Sequence, residues 1–233
     1  MKIMKINKLC PVCSKFHKDN SEICKNCLNE IKKYSYREKC VKCNRPLGDN
    51  ETSLCAHCKK LTPHFSLAFA AFPYKDDFKT AIRGAKFYDE YYRIKKLSEY
   101  MANIFSNMDL NADCIIYVPT DIKTILKRRY CLSQEIAYSI SKKLKIPVYK
   151  DFLLKKSKVQ KQSLVPFDER YTNIKGAFIK NPFSFKKIEG KTILLVDVVL
   201  TTGSTFSECS EVLKKLGAKD IFAIALAYGS SNI

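Results

Sequence analysis

Glycine and proline are scarce in this sequence, with 7 and 8 residues among 233. The chain is 46% hydrophobic and 12% aromatic, which is the composition of a packed globular protein and excludes wholesale disorder or a fibrous repeat. No window approaches the roughly 18 consecutive apolar residues of a membrane span, and residues 1–10 lack the apolar segment of a secretory signal. These absences predict a cytoplasmic protein without membrane insertion.

Acidic residues are also few, so the chain is strongly basic. Asp plus Glu number 23 against 42 Lys plus Arg, which gives a formal net charge of +19. Residues 122–162 alone hold 12 Lys plus Arg against 2 acids, and Tyr130, Tyr138, Tyr149 and Phe152 are interleaved with them. Cations mixed with aromatic rings are typical of surfaces that follow a single-stranded nucleic acid and stack its bases.

The candidate nucleic-acid-binding residues of this basic stretch are Lys127, Arg128, Arg129, Lys142, Lys143, Lys155 and Lys156. The alternative interpretation is a solvated helix face, because Ile136, Ile140 and Leu144 recur with helical spacing. Those three residues predict a helix whose apolar side packs in the core. Composition alone supports both interpretations.

Eight of the 11 cysteines lie within the first 58 residues, in pairs separated by two residues. Each such pair directs two thiolates at one ion, and two pairs complete a tetrahedral site. Disulfides and redox dithiols are the alternatives, but a reducing compartment and the lack of a thioredoxin-like pattern around any pair count against both. The spacing therefore predicts structural zinc sites that fold a segment poor in apolar residues.

The four pairs form an internal repeat of about 30 residues, and the simplest assignment is one zinc ion per copy. The predicted ligands are Cys10, Cys13, Cys24 and Cys27 in the first copy, and Cys40, Cys43, Cys55 and Cys58 in the second. An interleaved pairing satisfies the same spacing. Composition changes after this module, which predicts a double zinc ribbon over residues 1–63 and a second domain over residues 64–233.

The second domain alternates apolar strands with amphipathic stretches, which favours a mainly parallel sheet covered by helices. The predicted strands are 65–72, 113–118, 192–197 and 220–227, and the predicted helices are 76–87, 91–107, 133–144 and 203–216. Ligands bind such sheets at the carboxyl ends of the strands, where Pro119 and Thr201 fall. The isolated Cys114, Cys131 and Cys209 are interpreted as core thiols.

The strongest chemical signal is the segment from Lys191 to Gly217, in which an apolar strand ends in Asp197 before a loop rich in hydroxyls. Thr201, Thr202, Gly203, Ser204 and Thr205 form that loop and open an amphipathic helix. Backbone amides and the positive dipole end of a helix attract phosphate, and the small hydroxyls add donors. The loop has neither the Gly-Lys-Ser/Thr of a Walker phosphate-binding loop nor the Gly-x-Gly-x-x-Gly of a dinucleotide-binding fold. An ordinary strand-to-helix turn would not need so many hydroxyls.

This loop resembles the 5-phosphoribosyl 1-pyrophosphate (PRPP) loop of type I phosphoribosyltransferases, and nearly the whole chain resembles the ComF/GntX family. That family places a double zinc ribbon before a type I phosphoribosyltransferase-like α/β domain. The further matching residues are Tyr74, Ile82, Lys86 to Tyr88, Cys114 to Pro119, Gln134, Gln162 to Leu164, Arg170, Asn173 and Gly176 to Phe178.

The resemblance implies that Thr201 to Thr205 hold the 5-phosphate of PRPP and that Asp197 holds the ribose hydroxyls near a magnesium ion. It also implies that Asp121 and Lys123 belong to a loop on the pyrophosphate side, and that Lys86 helps from an earlier helix. Asp197, Lys86 and Asp121 are therefore the candidate catalytic residues. Because the family is associated with single-stranded DNA in natural transformation, the DNA-uptake machinery is an expected partner.

Two departures from the family pattern bear on activity. The family normally has two adjacent acids, whereas here Val198 follows Asp197, and a valine accepts no hydrogen bond from ribose. Cys131 and Ser133 replace a family glycine and asparagine. Three functions follow as hypotheses: a ComF-type protein that binds PRPP and single-stranded DNA in DNA uptake, a metabolic phosphoribosyltransferase acting on a small base, and a catalytically inactive zinc-dependent adaptor.

Overall fold

A computed structural model describes residues 7–35, 38–88, 90–156 and 173–229, with the backbone alone for residues 91 and 127. The elements in these ranges are β1 (Lys8–Leu9), β2 (Phe16–His17), α1 (Lys25–Ser35), α2 (Ala56–Leu61), β3 (Leu67–Pro73), α3 (Asp76–Phe87), α4 (Tyr91–Ser106), β4 (Cys114–Tyr117), α5 (Ile122–Arg128), α6 (Leu132–Leu144), β5 (Leu153–Lys155), β6 (Phe178–Lys180), β7 (Thr192–Leu200), α7 (Ser204–Lys215) and β8 (Asp220–Tyr228). Gln162 to Leu164 and Arg170, which carry part of the family resemblance, lie outside the described residues.

The central sheet has the strand order β3-β8-β7-β4, and every neighbouring pair is parallel. Its strands are nearly continuous apolar runs because helices or the cysteine module cover both faces. One face carries Leu194 and Val196 and packs against α3, α4 and α6. The opposite face carries Ile193 and Leu195 and packs against α7.

The predicted α/β fold with a mainly parallel sheet is confirmed. The four predicted sheet strands and the four predicted helices all form, with ends that differ by at most three residues from the prediction. The structure adds α1, α2 and α5, and the short antiparallel pair β5 and β6, which the sequence patterns did not predict. These additional elements are short or lie beside the clustered cysteines, so their apolar periodicity is weak.

The cysteine module packs on both faces of the sheet beside the edge strand β3. Its first copy joins the core cluster of Phe72 and Phe78, while its second copy joins the cluster of Phe65 and Phe206. The edge of β3 is covered in part, since the Ala68 amide donates a hydrogen bond to the Lys42 carbonyl over 2.8 Å. The module therefore protects an edge that would otherwise present unpaired backbone groups.

Two smaller predictions about side chains are also confirmed. Ile136 and Ile140 are fully buried on α6, as expected for a helix that packs its apolar side in the core. The isolated thiols Cys114, Cys131 and Cys209 are all buried. Among the described helices, none combines the length and the apolar character needed to cross a membrane.

Candidate functional site

A cleft of about 430 Å³ opens at the carboxyl edge of the central sheet. Five of the predicted catalytic or PRPP-binding residues line it: Lys86, Asp121, Asp197, Thr201 and Thr205. Lys86 comes from α3 and Asp121 from the loop after β4, while the other three come from the C-terminal half of β7, the turn after it and the first turn of α7. Parallel strands bring these loops together because all four carboxyl ends meet at one edge.

Asp197 is the acid that β7 places in the cleft, on the sheet face opposite Val196. One carboxylate oxygen accepts a hydrogen bond of 2.7 Å from the Val198 amide. Burial raises the pKa of Asp197 to about 6, and the amide together with the charges of Lys86 and Lys155 opposes that rise. The pKa therefore lies close to neutral pH, which is typical of functional carboxylates.

Three basic side chains line the same cleft: Lys86, Arg128 and Lys155. Burial lowers the pKa of Lys86; the charge of Asp197 opposes this effect, while Arg128 adds to it. The Arg128 guanidinium also stacks over the Phe87 ring, 4.9 Å from its centroid, which fixes its position. Cations that converge in a partly desolvated cleft form a site for phosphate or pyrophosphate groups.

The hydroxyl-rich loop divides into two sets of side chains. Thr201 and Thr205 line the cleft. Thr202 and Ser204 are buried, and their hydroxyl oxygens lie 2.8 Å apart, so this pair holds the loop together. Gly203 adopts a left-handed φ of +78° immediately before α7, a conformation that glycine reaches without steric strain.

The loop after β4 gives Asp121 a structural role in addition to its place in the cleft. Its two carboxylate oxygens accept hydrogen bonds from the Thr124 amide at 2.9 Å and the Thr124 hydroxyl at 2.7 Å, which caps α5. Lys123 is exposed in the first turn of α5 and is not among the residues that line the cleft.

The predicted nucleic-acid-binding residues are spread over several places. Arg128 and Lys155 line the cleft, while Lys142 and Lys143 are exposed in the last turn of α6. Since Leu132 at the first turn of that helix lines the cleft, a helix of this size places the two lysines about 15–20 Å away. Arg129 and Lys156 are exposed, and the side chain of Lys127 lies outside what the structure describes.

Sequence reasoning did not assign to the site several residues that line the cleft, among them Thr120 and Gly229, and also Tyr74 and Phe178, which it noted only as part of the resemblance. Tyr74 and Gly229 directly follow β3 and β8, so the rule that ligands bind at the carboxyl ends of parallel strands could have identified them. Phe178 carries no such signal, because its place depends on the pairing of β6 with β5.

The eight clustered cysteines form two groups in the structure, one from each copy of the repeat. Their sulfur atoms lie within 4.8 Å of one another in each group, so the sequential assignment holds and the interleaved alternative does not. The Cys13 and Cys24 sulfurs are 3.8 Å apart, and the Cys43 and Cys55 sulfurs are 3.7 Å apart. A tetrahedral zinc ion with bonds of about 2.3 Å separates its sulfur ligands by about 3.8 Å. Both groups could therefore hold such an ion.

The donors in the cleft also fit a magnesium ion that takes most of its ligands from a substrate. Magnesium is typically bound by one or two carboxylates together with phosphate oxygens. Asp197 supplies one such carboxylate, whereas the neighbouring Val198 supplies none. Asp121 is the other carboxylate among the described residues that line the cleft, and both of its oxygens already accept hydrogen bonds from Thr124, so these residues alone offer few oxygen ligands to magnesium.

No family model matches the chain. Competence protein F of Haemophilus influenzae is 26% identical over 221 residues, covering 91% of this chain and 92% of the relative. Ribose-phosphate pyrophosphokinase of Pyrococcus abyssi is 42% identical over 38 residues, which is 16% of this chain and 13% of that enzyme.

Solved structures similar to the chain include the glutamine PRPP amidotransferase of B. subtilis, with a TM-score of 0.38 and 19% identity over 58% of this chain and 26% of that one. The purine phosphoribosyltransferase of Pyrococcus horikoshii has a TM-score of 0.37 and 21% identity over 59% of this chain and 74% of that one. The chain is therefore similar to competence protein F over nearly its full length, and its structure combines a double four-cysteine module with an α/β domain built on a parallel sheet.

Proposed function

We propose that the cleft binds PRPP together with magnesium. The 5-phosphate lies against the loop of Thr201 to Thr205 at the start of α7, where the hydroxyls and the helix dipole favour an anion. The observation that carries this proposal is the convergence of Lys86, Arg128 and Lys155 with Asp197 and two threonines of that loop in one cleft. A ligand with phosphate groups at both ends of a sugar matches this distribution of charge.

In a phosphoribosyl transfer, the bond between the anomeric carbon and pyrophosphate breaks as a bond to the acceptor forms. Lys86, Arg128 and Lys155 neutralise the charge that develops on the leaving pyrophosphate, and bound magnesium supplies further positive charge. Asp197 accepts hydrogen bonds from the ribose hydroxyls and orients the sugar. We assign Asp121, in the loop after Pro119, to the pyrophosphate side; Lys123, which is exposed on α5, would reach that side only from outside the cleft.

The biological setting we propose is DNA uptake by a cytoplasmic protein that also binds single-stranded DNA. Similarity to competence protein F over nearly the full length and a net charge of +19 support this assignment. Two zinc ions hold the cysteine module, which packs on the sheet outside the set of residues that line the cleft. The alternatives are a metabolic phosphoribosyltransferase that uses a small base and an adaptor whose cleft has no ligand.

Calorimetric titration of PRPP, with and without magnesium, tests the central proposal. The wild type is expected to bind, and Lys86→Met should weaken that binding at least tenfold because a buried contact with phosphate is lost. Lys95→Met, on the exposed surface of α4, is the matched control and should bind like the wild type. If the wild type gives no heat with PRPP at any magnesium concentration, the adaptor alternative is favoured.

Val198→Asp restores the second acid of the family pattern. This variant distinguishes the metabolic phosphoribosyltransferase from the ligand-binding protein of DNA uptake. If this variant binds PRPP more tightly and releases pyrophosphate in the presence of a small base, the metabolic alternative gains support. If instead the wild type binds PRPP while neither it nor Val198→Asp releases pyrophosphate when a panel of bases is offered as acceptors, that result supports a ligand-binding role in DNA uptake.

A further inference from the structure

Phe183 and Phe185 are the two most exposed large apolar side chains in the described part of the protein, at 81% and 90% of full exposure. They lie in the aromatic loop, residues 181–187, which connects β6 to the strand before the PRPP loop. Single exposed apolar residues are common on protein surfaces. Two phenylalanines separated by one residue on a short loop are a more specific feature.

The backbone of the aromatic loop is held in place by Asn181. Its side-chain amide donates to the Asp151 carbonyl at 2.8 Å, and its side-chain oxygen accepts from the Phe183 amide at 3.0 Å. The Asn181 amide also donates to the Phe152 carbonyl at 2.9 Å, and its carbonyl accepts from the Ser184 amide at 3.0 Å. These bonds present the phenylalanine rings on an ordered support, which reduces the entropy lost when a partner binds.

The surroundings of the aromatic loop are strongly cationic. The exposed lysines of the loop and of the neighbouring β5 and β6 segments are Lys150, Lys156, Lys180, Lys186 and Lys187, against the exposed Asp151, whose carboxylate lies 4.0 Å from the Lys150 ammonium. The Lys186 ammonium also lies over the Tyr149 ring, 5.5 Å from its centroid. An aromatic surface with this surplus of positive charge is complementary to a polyanion that carries flat, stackable groups.

The aromatic loop is continuous with the candidate PRPP cleft. Phe178 at the start of β6 lines the cleft, and its partner across the pair of strands is Lys155, which also lines it. Phe183 comes five positions after Phe178, so its Cα lies at most about 18 Å from that of the cleft residue Phe178. A polyanion on the loop can therefore reach the basic side chains of the cleft.

We propose that Phe183 and Phe185 stack against bases of a single-stranded nucleic acid while the surrounding lysines contact its phosphates. The inference rests on the proposed binding of single-stranded DNA and assigns that binding to the aromatic loop, rather than to the lysines at the end of α6. A single strand is the fitting partner because the bases of a duplex are already stacked and paired, and therefore closed to the rings.

The test measures fluorescence anisotropy of a labelled 20-nucleotide oligothymidine at low salt, with the full-length protein. Phe183→Ala/Phe185→Ala is expected to weaken binding about tenfold or more, as the loss of base stacking does in single-strand-binding proteins. Phe183→Leu/Phe185→Leu keeps the apolar character without the aromatic face and should also weaken binding. Phe16→Ala is the matched control, since Phe16 is 73% exposed on β2 in the first copy of the cysteine module, and it should bind like the wild type.

The possible outcomes separate this inference from the function on which it rests. If the wild type binds no oligonucleotide at low salt, both the DNA-binding function and the aromatic-loop assignment are overturned. If the wild type binds and the alanine variant binds equally well, only the assignment to the aromatic loop is overturned. If the leucine variant retains binding in full while the alanine variant loses it, an apolar contact with the oligonucleotide is sufficient and stacking by the aromatic rings is overturned. Calorimetry with PRPP on each variant shows that the cleft is intact.

Discussion

At the scale of single residues, the neighbours Asp197 and Val198 show how one strand serves two environments. Side chains alternate along β7, so Asp197 and Val198 point to opposite faces of the sheet. Val198 belongs to the apolar cluster of Val196 and Tyr117 and is only 8% exposed. Val198 therefore packs in that cluster and also lines the cleft with an apolar surface, while Asp197 is the one of the two that offers a carboxylate to a ligand.

Asp197→Asn is expected to raise the thermal stability near neutral pH and to weaken PRPP binding. The pKa of Asp197 is raised from 3.8 to about 6 by burial in the folded protein, so the folded state binds this proton more tightly than the unfolded state does. Stability from this group is therefore present below about pH 4 and is lost as the pH rises through about 6. Melting temperatures from pH 4 to pH 8 should fall less steeply in the variant across that window.

The control for this prediction is Asp109→Asn, because Asp109 is exposed and is not among the residues that line the cleft. Its melting temperatures should follow those of the wild type at each pH. Parallel curves for Asp197→Asn and the wild type would contradict the assignment of a raised pKa to Asp197.

At the scale of elements, the site depends on the starts of two helices. Asp121 caps the seven-residue helix α5, and Gly203 gives the chain its left-handed turn into α7. Both residues therefore set the position of loops that line the cleft. A change at either residue acts on a whole loop as well as on one contact.

Asp121→Ala is expected to lower the free energy of unfolding by about 0.5–2 kcal/mol, since it removes a capping side chain. Asp121→Asn retains an oxygen that can accept from the Thr124 amide and should stay within a few tenths of a kcal/mol of the wild type. Urea denaturation of the three proteins measures these differences. Equal losses in both variants would show that the negative charge, rather than the cap, stabilises α5.

Gly203→Ala is expected to destabilise the protein by about 1–2 kcal/mol, because alanine at this φ places its Cβ close to backbone atoms. The same strain should shift the loop of Thr201 to Thr205 and reduce the rise in melting temperature that PRPP is expected to produce under the proposed function. Gly48→Ala is the matched control, since the added Cβ would meet the Glu51 carboxylate at an ordinary distance of 3.7 Å. If Gly203→Ala melts like the wild type, the left-handed turn is not required.

At the scale of the whole molecule, the cysteine module and the α/β domain share their cores. The buried Arg93 of α4 donates a hydrogen bond to the Val12 carbonyl of the first copy at 3.3 Å. Cys40 and Cys55 of the second copy belong to the same cluster as Phe65 and Phe206 of the domain. Loss of metal should therefore be felt by the sheet as well as by the module.

Metal analysis of the purified protein is expected to find two zinc ions per chain, and a strong chelator should lower the melting temperature of the whole protein. The first site should lose its zinc before the second, because Cys13 is partly exposed whereas all four ligands of the second site are buried. A chromogenic chelator that reports free zinc measures the order in which the two sites release their ions, in the wild type and in Cys13→Ser. If the chelator leaves the melting temperature of the protein unchanged, the conclusion that the two parts share their cores is contradicted.

The sequence by itself determined the features that depend on neighbours along the chain. Spacing identified the eight cysteines that form the two groups, and the apolar run before Asp197 with the hydroxyls after it identified the loop at Gly203. The tertiary structure alone decided which distant side chains meet. Arg128 and Lys155 join Lys86 and Asp197 in the cleft, and Lys142 does not, because the parallel strands bring distant loops to one edge while α6 leads away from it. The exposure of Phe183 and Phe185 could not be predicted from the sequence either, because a phenylalanine in a sequence predicts burial. Only the packed fold shows which phenylalanines remain exposed.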